Sequence, residues 1–154
     1  MPRIESSRLQ HIEELALGCV KRNLERRGWD CKVCDHYQKG YDLEACKKDK
    51  RLKIEVKGRS AGEISGYKYD SLVQKKTNRR HFNFSKAQYE TGAFFICVFV
   101  FPDKEVCFVV PRRDFNKLRT SEKNPYRITI NMDSNVNRGI DISIYKDGWG
   151  LLEE

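Results

Sequence analysis

Asp42, Glu55 and Lys57 are the residues of this sequence whose types and spacing could do chemistry together. Residues 41–46 and 51–58 each read as a strand, joined by a turn at 47–50. A loop centred on Lys48-Asp49 sets Asp42 opposite Glu55, Leu43 opposite Ile54, Ala45 opposite Leu52 and Tyr41 opposite Val56. Every apolar residue then falls on one face, the register that burial selects. Side chains alternate along a strand, so Asp42, Glu44, Lys53, Glu55 and Lys57 share the other face. Two carboxylates on adjacent strands, about 4.8 Å apart by backbone spacing, repel each other. A hard divalent cation, Mg²⁺ or Mn²⁺, relieves that repulsion, because it prefers carboxylate oxygens and keeps several waters. Lys57 lies within reach of a water on such a cation. It could orient that water or neutralise charge developing on a phosphate.

The elements that must hold these residues can be read outward from the hairpin. Before it, Ser6-Ser7 caps a helix running to about Arg27, with Leu9, Ile12, Ala16, Leu17, Val20 and Leu24 at helical period and Gly28 as its stop. Glu13 falls within that apolar arc and Glu14 points away, so Glu13 is a candidate for the same site. A further strand is expected at 30–35. After the hairpin, a basic stretch from 59 to 80 reads as a surface loop. Ser85 caps a short helix to Thr91. The run 93–101, between Gly92 and Pro102, is a buried strand, and 105–110 pairs with it across the turn at 102–104. A short helix at 112–118 and strands at 126–132 and 140–145 complete the chain. The fold class expected is α/β, a mixed central sheet flanked by helices. The whole chain 1–154 is expected to form a single domain, with a core at about 8–118 and a C-terminal β extension at about 119–154.

Thirty Lys+Arg against 22 Asp+Glu give a formal charge of +8, which favours a polyanionic partner. Lys75, Lys76, Arg79 and Arg80, with Arg59 upstream, form a candidate phosphate clamp. Arg112, Arg113 and Lys117 would extend it. Tyr67 and Tyr69 suit loop packing better than stacking on bases. No helix has the basic amphipathic face of a membrane-surface protein, and the longest apolar run is far too short to span a bilayer. No secretory leader precedes the first helix, so a cytoplasmic setting with six free thiols is expected. Cys31-x2-Cys34-x-His36 has one zinc-like spacing, but residues 31 and 34 of a strand face opposite sides, which argues against zinc. His11 and His81 have no catalytic partner in sequence and read as surface or structural residues.

Gly40-Tyr41-Asp42-Leu43 followed by Ile54-Glu55-Val56-Lys57-Gly58 resembles the PD-(D/E)XK nuclease superfamily of restriction enzymes and junction resolvases. The helix around Glu13 is similar to the first helix of that family, whose glutamate sits at the active site. The resemblance covers roughly residues 10–110, and it departs from the family pattern where Tyr41 replaces the proline before the aspartate. It implies an αβββαβ restriction-endonuclease-like core with extra C-terminal strands. Asp42 and Glu55 would bind metal, Lys57 would assist the attacking water, and Lys86 or Gln88 on the second helix would approach the phosphate. The implied activity is endonucleolytic hydrolysis of double-stranded or branched DNA. One centre cuts one strand, so a homodimer is expected. A catalytically inactive nucleic-acid-binding module of the same fold, or a nuclease acting on RNA, would share these features.

Overall fold

Phe94–Val100 contributes seven consecutive apolar residues, all of them buried, and a strand covered on both faces belongs in the middle of a sheet. In the computed structural model it does. The structure describes residues 2–34, 42–61, 78–121, 123 and 126–154, and side chains from residue 10 onward. In chain order the elements are α1 (Pro2–Arg26), β1 (Asp30–Val33), β2 (Leu43–Lys47), β3 (Lys50–Ser60), β4 (Arg79–Phe84), α2 (Lys86–Thr91), β5 (Phe94–Val100), β6 (Glu105–Pro111) and α3 (Arg112–Leu118). There follow β7 (Arg119–Ser121), β8 (Tyr126–Asn131), β9 (Val136–Asn137), β10 (Ile140–Asp141) and a 3₁₀ turn at Trp149–Glu153.

The fold is α/β, with a mixed central sheet of order β1-β2-β3-β5-β6. Its strands are antiparallel except at β3 and β5, which run parallel. One face is aliphatic: Ala16, Val20 and Leu24 of α1 lie against Leu43, Ile54, Val56, Ile96 and Val98. The other is aromatic: Phe95 and Phe99 meet Phe82, Phe84 and Phe115, with Ile128 and Ile130 beside them. That second face is covered by a three-stranded sheet, β4-β8-β7, together with α3.

The hairpin has the expected register, Leu43↔Ile54 through Lys47↔Lys50, closed by a two-residue turn in which Lys48 takes φ 55°. The Ser85 cap is also present as a full capping box with Gln88. Three expectations are corrected. The first helix starts at Pro2, so Ser6 and Ser7 lie inside it and do not cap it. Proline suits that start, because it lacks an N–H that the first turn leaves unpaired anyway. Residues 59–60 and 79–80 are strand, not loop, the latter opening β4, whose Phe82 and Phe84 enter the aromatic core. The strand expected at 140–145 shrinks to Ile140–Asp141. Beyond it the chain turns, and Tyr145 drops into the core and donates to Asp114 Oδ2 at 3.0 Å.

Candidate active site

Among the described residues β2 and β3 are paired from Lys47↔Lys50 as far as Leu43↔Ile54. Asp42 N still donates to Ile54 O at 3.1 Å, but β3 continues to Ser60 with its ladder partner, β5, on the opposite edge. The amides of Val56 and Gly58 face the edge away from β5, and amides removed from water need acceptors. Carboxylates supply them: Asp42 Oδ2 accepts from Val56 N at 2.9 Å, and Glu13 Oε1 accepts from Gly58 N at 2.9 Å. The fork between the strands therefore gathers acidic groups because its backbone requires acceptors there.

Two glycines make the gathering possible. A Cβ on Gly58 would sit 2.7 Å from Ala16 Cβ and 3.1 Å from Ile12 O, so only glycine lets α1 lie this close to β3. That approach brings Glu13 within reach of the fork. A Cβ on Gly92 would sit 3.0 Å from Glu55 Cγ and from the Phe95 ring. Its absence leaves room for the Glu55 side chain beneath the start of β5.

Glu55 is fully buried, and neither of its oxygens has a hydrogen-bond partner. Burial, and then the charge of Asp42, pushes its pKa up to about 9, against the weaker opposing pull of Lys57 and Gln88. Gln88 lies close to the Glu55 carboxyl and favours its ionised form, although neither oxygen has a partner at hydrogen-bonding geometry. Its Oε1 is engaged by Ser85 N at 2.8 Å. Glu13 is also raised, chiefly by burial, and the Gly58 amide and Lys57 oppose the shift. Lys57 Nζ stands 4.0 Å from Glu13 Oε2.

A buried carboxylate with two orphaned oxygens, facing a second carboxylate, has the chemistry of a hard-cation site. Among the described residues no three His, Cys, Asp or Glu side chains converge as a ready-made cage. The fit is therefore to an ion that completes its shell with water or substrate oxygens, as Mg²⁺ does.

The structure brings Glu13, Asp42, Glu55, Lys57 and Gln88 together, with Arg59 at the margin. Arg59 Nε donates to His81 O at 2.9 Å, and Arg80 Nε donates to Ser60 O at 2.8 Å, so these two arginines join β3 to β4. Arg79 is exposed on β4. Lys86 stands apart, 4.0 Å from Glu90 on an exposed turn of α2. Lys75, Lys76, Tyr67 and Tyr69 lie outside the described residues, as do His36 and Tyr41.

The cations of the extension expected around Arg112 have partners within the chain. Arg112 bonds the carbonyls of Tyr89 and Gly92, Arg113 pairs with Glu154 at 2.7 Å, and Lys117 with Asp114 at 3.3 Å. The Lys117 pair has the i,i+3 spacing of a helix, whereas the Arg113 pair joins residues far apart in sequence. All six cysteines are free thiols. His81 bonds Thr129 Oγ1 through Nδ1 at 2.7 Å. Sequence reading missed Gly58 and Gly92 as site determinants, although each directly abuts a singled-out feature, the Glu-x-Lys triplet and the apolar run.

The architecture is an endonuclease-like α/β fold. In particular, the chain is similar in structure to a bacterial homing endonuclease, I-Ssp6803I, with a TM-score of 0.60 over 93% of this chain and 91% of that one at 17% identity. At that identity the likeness is one of fold. No model of a known protein family matches the chain, and no curated protein matches it. Among the described residues no helix is long and apolar enough to cross a membrane.

Proposed function

We propose that this chain is a divalent-metal-dependent endonuclease that hydrolyses phosphodiester bonds in DNA through a PD-(D/E)XK-type centre. The observation that carries this reading is Glu55, a fully buried carboxylate with two unpartnered oxygens beside Asp42. Natural proteins rarely leave such a group orphaned without a use. Asp42 and Glu55 would hold Mg²⁺ or Mn²⁺. A cation bound there would polarise the phosphodiester and lower the pKa of the attacking water.

The chain's own residues do the rest. Lys57, held near Glu13, offers an ammonium to the charge that grows on the phosphate oxygens as water adds to phosphorus and one P–O bond breaks. Glu13 fixes the spacing of α1 and β3 through Gly58 N and sets where Lys57 points. The Gln88 amide adds a dipole beside Glu55. Arg59 and Arg80, with Lys75 and Lys76, supply positive charge for the flanking phosphates. A single centre cuts one strand, so cleavage of duplex DNA would bring two copies together.

Supercoiled plasmid incubated with and without Mg²⁺ tests the proposal. Wild-type protein should nick only with the cation, and Glu55→Gln should not nick at all. Equal nicking by the variant, or nicking in chelator, would overturn it.

A further inference from the structure

The outward face of the second sheet is an ordered ladder of polar side chains. Along β4 and β8, Phe82, Phe84, Ile128 and Ile130 point into the core. The alternate residues form cross-strand rungs on the other side: Arg79↔Asn131, His81↔Thr129 and Asn83↔Arg127. The rungs are tied together. Arg127 Nε donates to Asn83 Oδ1 at 2.9 Å, and Thr129 Oγ1 meets both His81 Nδ1 at 2.7 Å and Thr120 Oγ1 at 3.0 Å. This face floors an open groove walled on one side by Val136 and Arg138, and neither a carboxylate nor a lysine lines it among the described residues.

We infer that this groove seats duplex DNA and that Arg79 and Arg127 read base edges within it. The inference rests on the nuclease reading for its partner and adds the means of sequence selection. Three features suit base readout. The cations are all arginines, whose planar forks suit the paired acceptors of guanine as well as they suit phosphate. Arg127 is held by Asn83 through one N–H, which fixes the direction of the others. Strand residues advance about 3.4 Å each, close to the 3.4 Å base step, so the ladder from Arg79 to Asn83 spans about four steps. The surface is also continuous with the proposed centre. Arg59, two residues past Lys57 on β3, bonds the backbone of His81 on the middle rung.

The test uses Arg79→Lys and Arg127→Lys, which keep the charge and remove the fork. A randomised duplex DNA pool is bound in chelator, recovered and sequenced, while plasmid nicking in Mg²⁺ is measured alongside. Wild type should enrich a motif. Each variant should relax preference at one or two positions by roughly tenfold or more, with the salt dependence of binding unchanged. An unchanged motif, a uniform loss across all sequences, no wild-type enrichment, or stronger binding of an RNA pool would overturn the inference. Wild-type protein that enriches a motif which the variants relax, yet does not nick plasmid in Mg²⁺, would instead sink the nuclease reading and leave this surface standing.

Discussion

The two ends of β3 carry similar residues and behave differently. At the hairpin end, Glu44 lies opposite Lys53 and meets Arg51 at 3.5 Å, with the arginine largely in solvent. At the fork end, Asp42 lies beside Glu55, which is fully buried and unpartnered. Both ends hold carboxylates and cations on alternate positions of one hairpin. The hairpin end is backed by a partner strand and open to water, so its charges are neutralised cheaply and contribute little. At the fork end the carboxylates of Asp42 and Glu13 cap the amides of Val56 and Gly58, while Glu55 stays uncompensated. What separates a decorative charge pair from a site is therefore burial without compensation, and residue type alone does not make the distinction.

Substitutions at the two ends should separate them most sharply in cleavage. Glu55→Gln should abolish Mg²⁺-dependent nicking, while Glu44→Gln leaves the rate within about twofold, as a surface change should. Comparable losses from both would erase the distinction. The lysines should divide in the same way. Lys57→Ala should slow cleavage by about 10²–10³-fold, the size expected for removing one preorganised charge. DNA affinity should stay within about tenfold, or ~1.4 kcal/mol. Lys53→Ala should change neither, and equal losses of rate and affinity in Lys57→Ala would recast it as a binding residue.

Packing at the fork gives a smaller effect. Gly58→Ala forces a contact with Ala16 and should cost about 1–3 kcal/mol, read as a lower midpoint in urea. Gly150→Ala meets nothing within 4 Å and serves as the near-neutral control. A neutral Gly58→Ala would mean that α1 is not held as closely as described.

Much of this was legible in the sequence, and the reasons are specific. The hairpin register followed from period-two alternation, because a slip by one residue would have turned Leu43, Ile54 and Val56 outward. The inward turn of Glu13 followed from the helical period. The run 93–101 declared itself by its unbroken apolar character. β4 was hidden because Arg79-Arg80-His81 reads as loop until Phe82 and Phe84 are known to have a core to enter. The burial of Glu55 was hidden too, since it depends on Gly92, which the fold brings up from a distant part of the chain. The pairing of Arg113 with Glu154 is equally non-local.

A further effect concerns pH. Glu55 stays protonated in the folded chain up to about pH 9, whereas its ordinary value is 4.5. Between those values the folded state holds the extra proton. The stability this group confers is therefore full below about pH 4.5 and is lost as pH rises toward 9. In chelator, the wild-type melting temperature should fall as pH rises through that window. Glu55→Gln should remove it and Glu44→Gln should keep it. A trend that survives Glu55→Gln would assign the proton to another group.

The most direct measurement is calorimetric titration of Mg²⁺ or Mn²⁺ into the chain near pH 7.5, repeated in buffers of different ionisation enthalpy. If Asp42 and Glu55 hold the cation, binding must displace the Glu55 proton, because the metal takes the ionised carboxylate. Close to one proton should be released per ion bound, and Glu55→Gln should abolish the release and weaken binding. Cation binding without proton release, or binding left intact in Glu55→Gln, would contradict the assignment of the fork as the metal site.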